Sequence, residues 1–285
     1  MRVFLNDFEV NSADNRVYLD GEIAGLEMPS IRSSRGNRSG QPGSYFGAQI
    51  PDSRLITLNG HIFSSDVATG LQRRRDLQAA LPLYPDQIEM RIIDDDGRAY
   101  IIFCQVMDFK APRQRQPFKH PFKIELEAPD SVIYDDTAGT SLTATIQKAV
   151  AGGMLFSAST PTFGVSTRFT AGMPNTTVDN TSDIVLYPTI TITGKTTNPA
   201  ITNLTTGEKF YMTGYAVDGS AVTVIKTSPF LHTVTLNGDN VFGNVPLDSE
   251  WPALVPGLNE FLFESDSSTD ATSALLEWRP GFAGI

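Results

Sequence analysis

The sequence predicts a mainly β protein with two domains, and three observations carry this prediction. Apolar and polar residues alternate strictly over "FKIELEA", residues 122–128, as a strand with one buried face requires. Dipeptides typical of tight turns, Asp96-Gly97 and Asn237-Gly238, follow apolar runs. The composition changes near residues 128–139, because residues 1–137 hold 16 of the 22 lysines and arginines and 20 of the 32 acids. We therefore expect domains over residues 1–137 and 138–285.

Length and composition define the class of protein. A chain of 285 residues is long enough for two domains of about 100 to 150 residues, each with its own core. The sequence is 40% hydrophobic and 19% charged, which is typical of globular proteins. It contains no apolar run of about 18 residues, so we expect no spanning helix and no membrane partner. The first ten residues do not resemble a secretory signal, which predicts synthesis in a cytoplasm.

In the first domain the elements are strands, with one helix. Asp20-Gly21 and Asn59-Gly60 predict tight turns, and Asp96-Gly97 predicts a hairpin between two apolar strands. The segment "TGLQRRRDLQAALP", residues 69–82, predicts a helix that Thr69 caps and Pro82 ends. The prediction is a β-sandwich or split-barrel-like sheet with this helix laid on it.

The second domain is predicted to be all β. Ile190 and Ile192 point inward from "YPTITITG", and Phe261 and Phe263 share one face of "NEFLFES". In "ALLEWRP" the pattern places Trp278 on a core face. Short strands with turn signals every eight to twelve residues or so are typical of a sandwich or jelly roll. The exception is residues 142–153, which we interpret as a short helix.

Residue patterns for catalysis or metal binding are missing from the sequence. Cys104 stands alone in an apolar run, which favours a buried hydrophobe over a reactive thiol. The "DDDGR" loop, residues 94–98, predicts a solvated turn, because Phe103 stands where a calcium-binding loop needs a glutamate. No nucleophile elbow or phosphate-binding loop occurs. We predict no enzyme, metal or cofactor; a hydrolase whose acids cannot be paired from sequence remains an alternative.

Two segments rich in cations and free of acids are the candidate functional sites. The first, residues 31–49, contains four glycines and predicts a long mobile loop; the second spans residues 110–123. We predict that both dock on an acidic protein surface, because the net charge of −10 disfavours nucleic acid as the main partner. Single-stranded nucleic acid, or solvent alone, stays an alternative. The candidate docking residues are Arg32, Arg35, Arg38, Lys110, Arg113, Arg115, Lys119 and Lys123.

Several segments, in order, resemble the distal tail proteins of long-tailed, siphovirus-like phages. They are "RLITLNGHI", "RRRDLQAAL", "FKIELEAPDSVIYDD", "YPTITITGKTTNPAITNLTTGEKF", "LNGDNVF", "VPGLNEFLFES" and "LEWRPGFAGI". The resemblance covers most of the chain and is weakest over residues 140–180.

This resemblance implies a galectin-like second sandwich, in which "NPAITNLTTG" is a hairpin and Pro256-Gly257 turns the chain into a core strand. It also implies a homo-hexameric ring at the distal end of the tail in the virion, made by the first domain. The implied partners are the tail tube protein above and the tail-tip hub below, with a receptor-binding protein as a further candidate and DNA only as passing cargo.

A glycan-binding module acting through the second sandwich is the alternative function. The polar and sugar-stacking residues of a galectin site are not recognisable in residues 138–285, and Trp251 and Trp278 are the tryptophans that could serve. We therefore expect no sugar binding by the isolated protein.

Overall fold

The computed structural model describes residues 1–37, 39–82, 87–112, 118–148, 175–268 and 272–285. The chain divides into two compact units. Unit 1 comprises Met1–Thr140 together with Gly281–Ile285, and unit 2 comprises Ser141–Pro280. The last five residues, which the sequence placed in the second domain, therefore pack in unit 1. The sequence gives no sign of this return, because it depends on pairing with residues far away in the chain.

Unit 1 contains the following elements in chain order: β1 (Arg2–Leu5), β2 (Phe8–Val10), β3 (Val17–Leu19), β4 (Ile31–Asn37), β5 (Ser44–Pro51), β6 (Arg54–Phe63), α1 (Val67–Ala79), β7 (Ile88–Ile93), β8 (Ala99–Lys110), β9 (Lys119–Ala128) and β10 (Ile133–Asp135). Unit 2 contains β11 (Leu142–Gln147), β12 (Thr176–Asn180), β13 (Thr189–Thr193), β14 (Thr196–Thr197), β15 (Ala200–Asn203), β16 (Lys209–Tyr211), β17 (Ala216–Val217), β18 (Val222–Lys226), β19 (Thr233–Leu236), β20 (Asp239–Asn240), a 3₁₀ helix (Phe242–Asn244), β21 (Gly257–Glu264), β22 (Ser267–Ser268) and β23 (Ser273–Trp278). The chain ends in β24 (Gly281–Phe282), which belongs to unit 1.

The main sheet of unit 1 has the strand order β2-β1-β7-β8-β9-β6-β3, with β10 pairing β8 and β24. Its core comes from the alternation that the sequence predicted: Phe122, Ile124 and Leu126 of β9 are all buried. The turn at Asp96-Gly97 also forms, with Gly97 at φ +89°. The prediction of a mainly β fold is thus confirmed. It could be made from the sequence because a strand with strict alternation has one face to bury, whichever strand it pairs with.

Helix α1 forms close to where the sequence predicts it, but its cap is different. Asp66, and not Thr69, is the N-cap: its Oδ1 accepts a hydrogen bond of 2.9 Å from the main-chain N–H of Thr69. The Thr69 hydroxyl donates to Asp66 Oδ2 at 2.7 Å. These hydrogen bonds lower the pKa of the Asp66 carboxyl. Leu77 anchors the helix on the core, where it is fully buried.

The predicted turn at Asn59-Gly60 is wrong, since both residues lie inside β6. A Cβ at position 60 would lie 2.3 Å from the main-chain oxygen of Tyr18 and 2.6 Å from the ring of Phe122. Gly60 is therefore required by the close approach of β3 and β9, and not by a turn.

Unit 2 is a β-sandwich. Its two main sheets have the orders β11-β23-β13-β18-β19-β20 and β12-β21-β15-β16, and a small third sheet has the order β17-β14-β22. Ile190 and Ile192 of the first sheet and Phe261 and Phe263 of the second are buried, as predicted. Trp278 is 8% exposed and also lies on a core face, as predicted.

Turn chemistry positions several strands of unit 2. Asn237 and Gly238 adopt φ of +49° and +97° and join β19 to β20, as the dipeptide predicts. Gly207, at φ +84°, lies in the turn between β15 and β16, so the predicted "NPAITNLTTG" hairpin is confirmed. Residues 142–147, by contrast, form strand β11 and not the predicted helix, because they pair with β23 along their whole length. The end of that predicted helix, residues 149–153, lies outside the described residues.

None of the helical segments in the described part of the chain has the length and apolar character that a bilayer crossing needs.

Candidate docking surfaces

The β4–β5 hairpin is a separate two-stranded sheet in unit 1, where the sequence predicted a mobile loop. Gly36 lies opposite Tyr45 in the pairing register, and the tyrosine ring covers it: a Cβ on Gly36 would lie 2.2 Å from Tyr45 Cζ. Glycine at this position thus accommodates the cross-strand ring. The loop prediction failed because a glycine-rich segment can form either a mobile loop or a paired strand, and glycine content does not show whether a partner strand is present.

The hairpin has no core of its own. Among its described side chains none is buried, and Ile31, Tyr45 and Ile50 are 44%, 57% and 54% exposed. A two-stranded sheet by itself is at best marginally stable in water. These three side chains therefore present apolar surface that a partner could cover.

Arginines accompany this apolar surface. Arg32 is paired with Asp52 at 3.4 Å, yet its side chain remains 70% exposed. Arg35 is exposed on the same strand. Arg38 lies outside the described residues. The hairpin thus combines exposed apolar side chains with positive charge.

The second group of candidate cations lies at the adjoining ends of β8 and β9. Lys110 and Lys123 stand directly opposite each other in the register, an arrangement that two like charges disfavour. The expectation that no carboxylate is nearby is wrong: Lys110 forms an ion pair with Asp108 and Lys123 with Glu125. Asp108 and Glu125 lie two positions from Lys110 and Lys123 along their strands, so each acid points to the same face as its lysine. Both acids lie outside residues 110–123, which is why that segment contains no acid.

The other members of this group are placed only in part. The ammonium of Lys119 lies 5.8 Å from the centre of the Phe63 ring, within the range of a cation–π contact. Arg113 and Arg115 lie outside the described residues. In the described part of the chain, no strand pairing joins the hairpin to β8 and β9.

Unit 2 contains an exposed cluster that the sequence analysis missed. The rings of His232 and Trp251 stack with centroids 4.2 Å apart and planes 6° apart, and Phe242 packs on the same tryptophan at 5.9 Å. This stacking holds together the loop after β18 and the segment after β20. We call His232, Trp251 and Phe242, which is 42% exposed, the aromatic patch. Three further apolar side chains of these segments are exposed: Phe230 (61%), Leu231 (54%) and Leu247 (108%).

A sequence signal for this patch exists in retrospect. Large apolar residues occur in "SPFLH" and "VPLDSEW", between strands, where a turn would ordinarily be polar. Without the structure, nothing indicates that the two segments meet. Their meeting depends on Trp251 reaching His232 across the end of the sandwich.

Sugar recognition by aromatic stacking finds little support in the tryptophans. Trp251 already stacks on His232 and Phe242 and lies 5.1 Å from the Phe210 ring, and Trp278 is nearly buried. A sugar ring would have to displace one of these neighbours.

Unit 2 also has a polar cleft of about 510 Å³, lined in part by Lys209, Tyr211 and Glu264. Lys209 and Glu264 are 3.6 Å apart across the cleft, and Asn198 donates a hydrogen bond of 2.7 Å to Asp266. These four polar side chains of the cleft therefore already have partners within the chain.

Reactive groups are sparse in the described residues. Cys104 is fully buried, and burial raises the pKa of its thiol to about 12, which makes it inert near neutral pH. No cluster of three or more potential metal ligands occurs among the described residues.

Comparison with known proteins agrees with the fold. Residues 181–282 match the model of the family described as siphovirus-type tail component, C-terminal domain. The resemblance to distal tail proteins is thereby confirmed for this segment. A search of the curated proteins finds no match to the sequence.

Solved structures match over nearly the whole chain. The Dit protein of phage SPP1 is described as a paradigm of the hub adsorption apparatus in phages that infect Gram-positive bacteria. It superposes with a TM-score of 0.64 at 14% identity, covering 99% of this chain and 98% of its own. A chain of the phage P2 baseplate in its activated conformation with Ca superposes with a TM-score of 0.52 at 8% identity, covering 100% and 92%. The same baseplate with Sr gives 0.51 at 9% identity, again covering 100% and 92%.

Proposed function

We propose that this protein is a structural component of a phage tail tip, in which six copies form a ring that joins the tail tube to the tail-tip hub and host-recognition apparatus. The observation that carries the proposal is the match of residues 181–282 to a siphovirus-type tail component, within a chain that shares its fold end to end with a phage hub protein. The site of action is the distal end of the tail in the virion.

The surfaces of unit 1 support assembly from several copies. The β4–β5 hairpin exposes Ile31, Tyr45 and Ile50 and has no core of its own, so contact with another chain would stabilise it. When two different surfaces of identical chains meet head to tail, the contacts repeat, and they close into a ring where the rotation between copies permits. Unit 1 makes the ring in this proposal.

The role is mechanical, and no catalytic step is assigned. The proposed protein partners are the tail tube protein, the hub and, as a further candidate, a receptor-binding protein. DNA passes through the ring as cargo.

The proposal is tested on the purified full chain. We expect a particle of six chains, or a multiple of six, by light scattering, and rings in negative stain. Ile50→Asp should weaken assembly, because it places a charge in the apolar surface of the hairpin. Leu258→Asp is the matched control, since Leu258 is 66% exposed on unit 2. A chain that stays monomeric at every concentration, with and without the tube protein, would contradict the proposal.

The predicted docking role of the cations is tested by charge reversal. The double variant Arg113→Glu/Arg115→Glu should weaken ring assembly or attachment to the tube, with a strong dependence on salt. The variant Lys110→Glu is expected to do less, because Asp108 already neutralises Lys110 within the chain. Normal assembly of the double variant at low and high salt would refute docking. Normal assembly with failed DNA ejection would instead indicate that these residues line the lumen.

Glycan binding by unit 2 is the second candidate function, and the polar cleft is the observation that favours it. The cleft offers hydroxyl, amide and charged groups, which are the partners that sugar hydroxyls use. The pairing of Lys209 with Glu264 across the cleft argues against this function, because both charged groups already have a partner.

A further inference from the structure

We propose that the surface beside the N-terminal end of helix α1 in one copy docks on the groove at the C-terminal end of α1 in the next copy. This inference rests on the proposed function, since it requires several copies joined through unit 1. It deepens that proposal by naming the two surfaces of unit 1 that meet.

The first surface lies beside the N-terminal end of α1 and is aromatic and positively charged. We call Phe63, Phe118, Lys119 and Arg73 the cationic surface. Its parts are joined through the main chain: Phe63 stands opposite Lys119 in the register of β6 and β9, and the N–H of Ser64 donates to the carbonyl of Phe118 at 3.2 Å. The side chains of Phe63 and Phe118 are 37% and 63% exposed. This surface therefore offers aromatic area to a partner.

The two cations of this surface are held close to Phe63. The ammonium of Lys119 lies 5.8 Å from the centre of the Phe63 ring, and the guanidinium of Arg73 donates to the Phe63 carbonyl. Neither cation forms an ion pair with a carboxylate among the described residues. The neighbouring acid, Asp66, is engaged as the cap of α1. The positive charge of the cationic surface is thus available to an acidic partner.

The second surface is a groove of about 360 Å³ at the C-terminal end of α1. We call it the acidic groove, and it is lined by Asn6, Asp7, Phe8, Asp76, Ala79 and Ala80. Asp7 and Asp76 are exposed, and within the part of the chain that the structure describes neither carboxylate forms an ion pair. The last turn of α1 contains no basic residue. The negative end of the helix dipole therefore adds to the two carboxylates.

The acidic groove is held in shape before any partner binds. The side-chain amide of Asn6 donates to the carbonyl of Ala80 at 3.2 Å, and its Oδ1 accepts the main-chain N–H of Glu89 at 3.0 Å. The main-chain N–H of Asn6 also donates to the carbonyl of Glu89 at 2.8 Å. One residue thus fixes the end of α1 to the main sheet. A preformed surface loses less conformational entropy when a partner docks.

The two surfaces are opposite in charge and share an aromatic component. Lys119 and Arg73 lie on one, and Asp7 and Asp76 lie on the other. Phe8 of the groove is half-buried against the core and gives the groove an apolar wall. Opposite charges favour the association and its correct orientation, and aromatic side chains are enriched at the centre of protein interfaces.

Helix α1 keeps the two surfaces of one copy apart. It has 13 residues, so its ends are about 20 Å from each other at a rise of about 1.5 Å per residue. The two surfaces can therefore meet only between copies. Each copy then presents the cationic surface to one neighbour and the acidic groove to the other, which is a head-to-tail contact of the kind that a ring requires.

The contact is tested by chemical crosslinking between differently tagged full-length copies. The natural thiol does not interfere, because Cys104 is fully buried. One tagged chain carries Ser65→Cys, beside the cationic surface, and the other carries Ala79→Cys, in the acidic groove; both positions are exposed. After mixing and co-assembly, a short bismaleimide should join the two tags. Asp7→Cys is a second groove position, so that one poorly folded variant does not decide the result.

A control position checks that the crosslink is specific. Asp96→Cys replaces Ala79→Cys, and we expect little product. Asp96 follows the last residue of β7, whereas the groove residue Asn6 bonds to Glu89 at the start of that strand. The control thiol therefore lies at the opposite end of β7 from the groove.

A charge exchange sharpens the test. Lys119→Glu on the Ser65→Cys chain should reduce the crosslinked product about tenfold, and Asp76→Lys on the Ala79→Cys chain should restore most of it. Arg98→Glu is the matched reversal of a remote cation, 68% exposed, and should leave the yield unchanged. Restoration would not occur if Lys119 acted only within its own copy.

The outcomes separate this inference from the proposed function. An assembled, multi-chain particle in which the Ala79 and Asp96 positions crosslink equally to Ser65→Cys would overturn the contact between the ends of α1 alone. A chain that remains monomeric throughout would overturn both. A crosslink that forms only between two Ser65→Cys chains would also overturn the inference, because it indicates a self-complementary contact.

Discussion

The guanidinium of Arg54 donates a hydrogen bond of 2.6 Å to the main-chain carbonyl oxygen of Ala283, a residue 229 positions later in the chain. The same side chain, 2% exposed, also donates to the carbonyls of Gly25 and Ser131, both at 2.7 Å, and to that of Glu27. One buried arginine therefore holds two loops and the C-terminal segment of unit 1 together. Burial lowers the pKa of this guanidinium from its usual value, and the main-chain oxygens satisfy its donors in place of water.

Removing this side chain should destabilise unit 1. In Arg54→Met, the carbonyls of two loops and of the C-terminal segment lose a charged donor, and each hydrogen bond to a charged group contributes about 1.5–3 kcal/mol, so we expect a loss of about 3 kcal/mol or more. Urea unfolding of the full chain measures it. Arg98→Met is the control, because the Arg98 side chain is 68% exposed and lies 3.4 Å from Asp96 at the surface. Equal effects of the two variants would show that Arg54 does not hold the segments.

The C-terminal segment should be required for a stable unit 1. Strand β24 pairs with β10, with Ile133 opposite Phe282, so a fragment ending at residue 140 loses a strand and the Ala283 carbonyl. We expect residues 1–140 joined by a short linker to residues 281–285 to unfold at a higher urea concentration than residues 1–140 alone. Equal midpoints would contradict this expectation.

Unit 2 should fold by itself as a monomer when expressed as residues 141–280. It has its own sheets, and its two main sheets both contribute buried side chains, including Ile190 and Phe263. Light scattering gives the mass, and far-ultraviolet circular dichroism gives the strand content. A ring formed by this fragment alone would contradict the assignment of the ring to unit 1.

Gly60→Ala should strongly destabilise unit 1, because the new Cβ would meet the main-chain oxygen of Tyr18 at 2.3 Å. Overpacking of this kind costs about 1–3 kcal/mol, and neither β3 nor the ring of Phe122 can move without disturbing the core. Gly219→Ala is the matched control, since nothing lies within 4 Å of its added Cβ. Thermal unfolding of both variants compares them; similar melting temperatures would mean that the sheet accommodates the methyl group.

A glycan array probed with the full chain should show no specific binding. The Trp251 ring is stacked on His232, and Lys209 and Glu264 in the polar cleft bond to each other. A turnover assay on host wall polysaccharide should likewise show no product. Saturable binding of one sugar would support the glycan-binding function. Loss of that binding in Trp251→Ala would place the sugar site at the aromatic patch, and loss in Tyr211→Ala would place it in the polar cleft.

The sequence alone predicts those strands whose buried face follows from their own apolar and polar pattern. Residues 122–128 alternate, and Phe261 and Phe263 share a face, so each strand shows which side it buries before its partners are known. Turns that depend on local backbone conformation were also predictable, as at Asn237-Gly238, where both residues adopt positive φ. The ordered likeness to distal tail proteins came from the same local features.

Features that depend on residues far apart in the sequence could be identified only from the three-dimensional structure. Gly60 lies inside a strand because Tyr18 and Phe122 approach it, and residues 142–147 form a strand because β23 pairs with them. The ion pairs of Lys110 and Lys123 follow from the side on which each strand places its acids. The aromatic patch exists because the Trp251 ring reaches His232. Local preferences cannot predict such contacts, because each depends on which segments the fold brings within a few ångströms of one another.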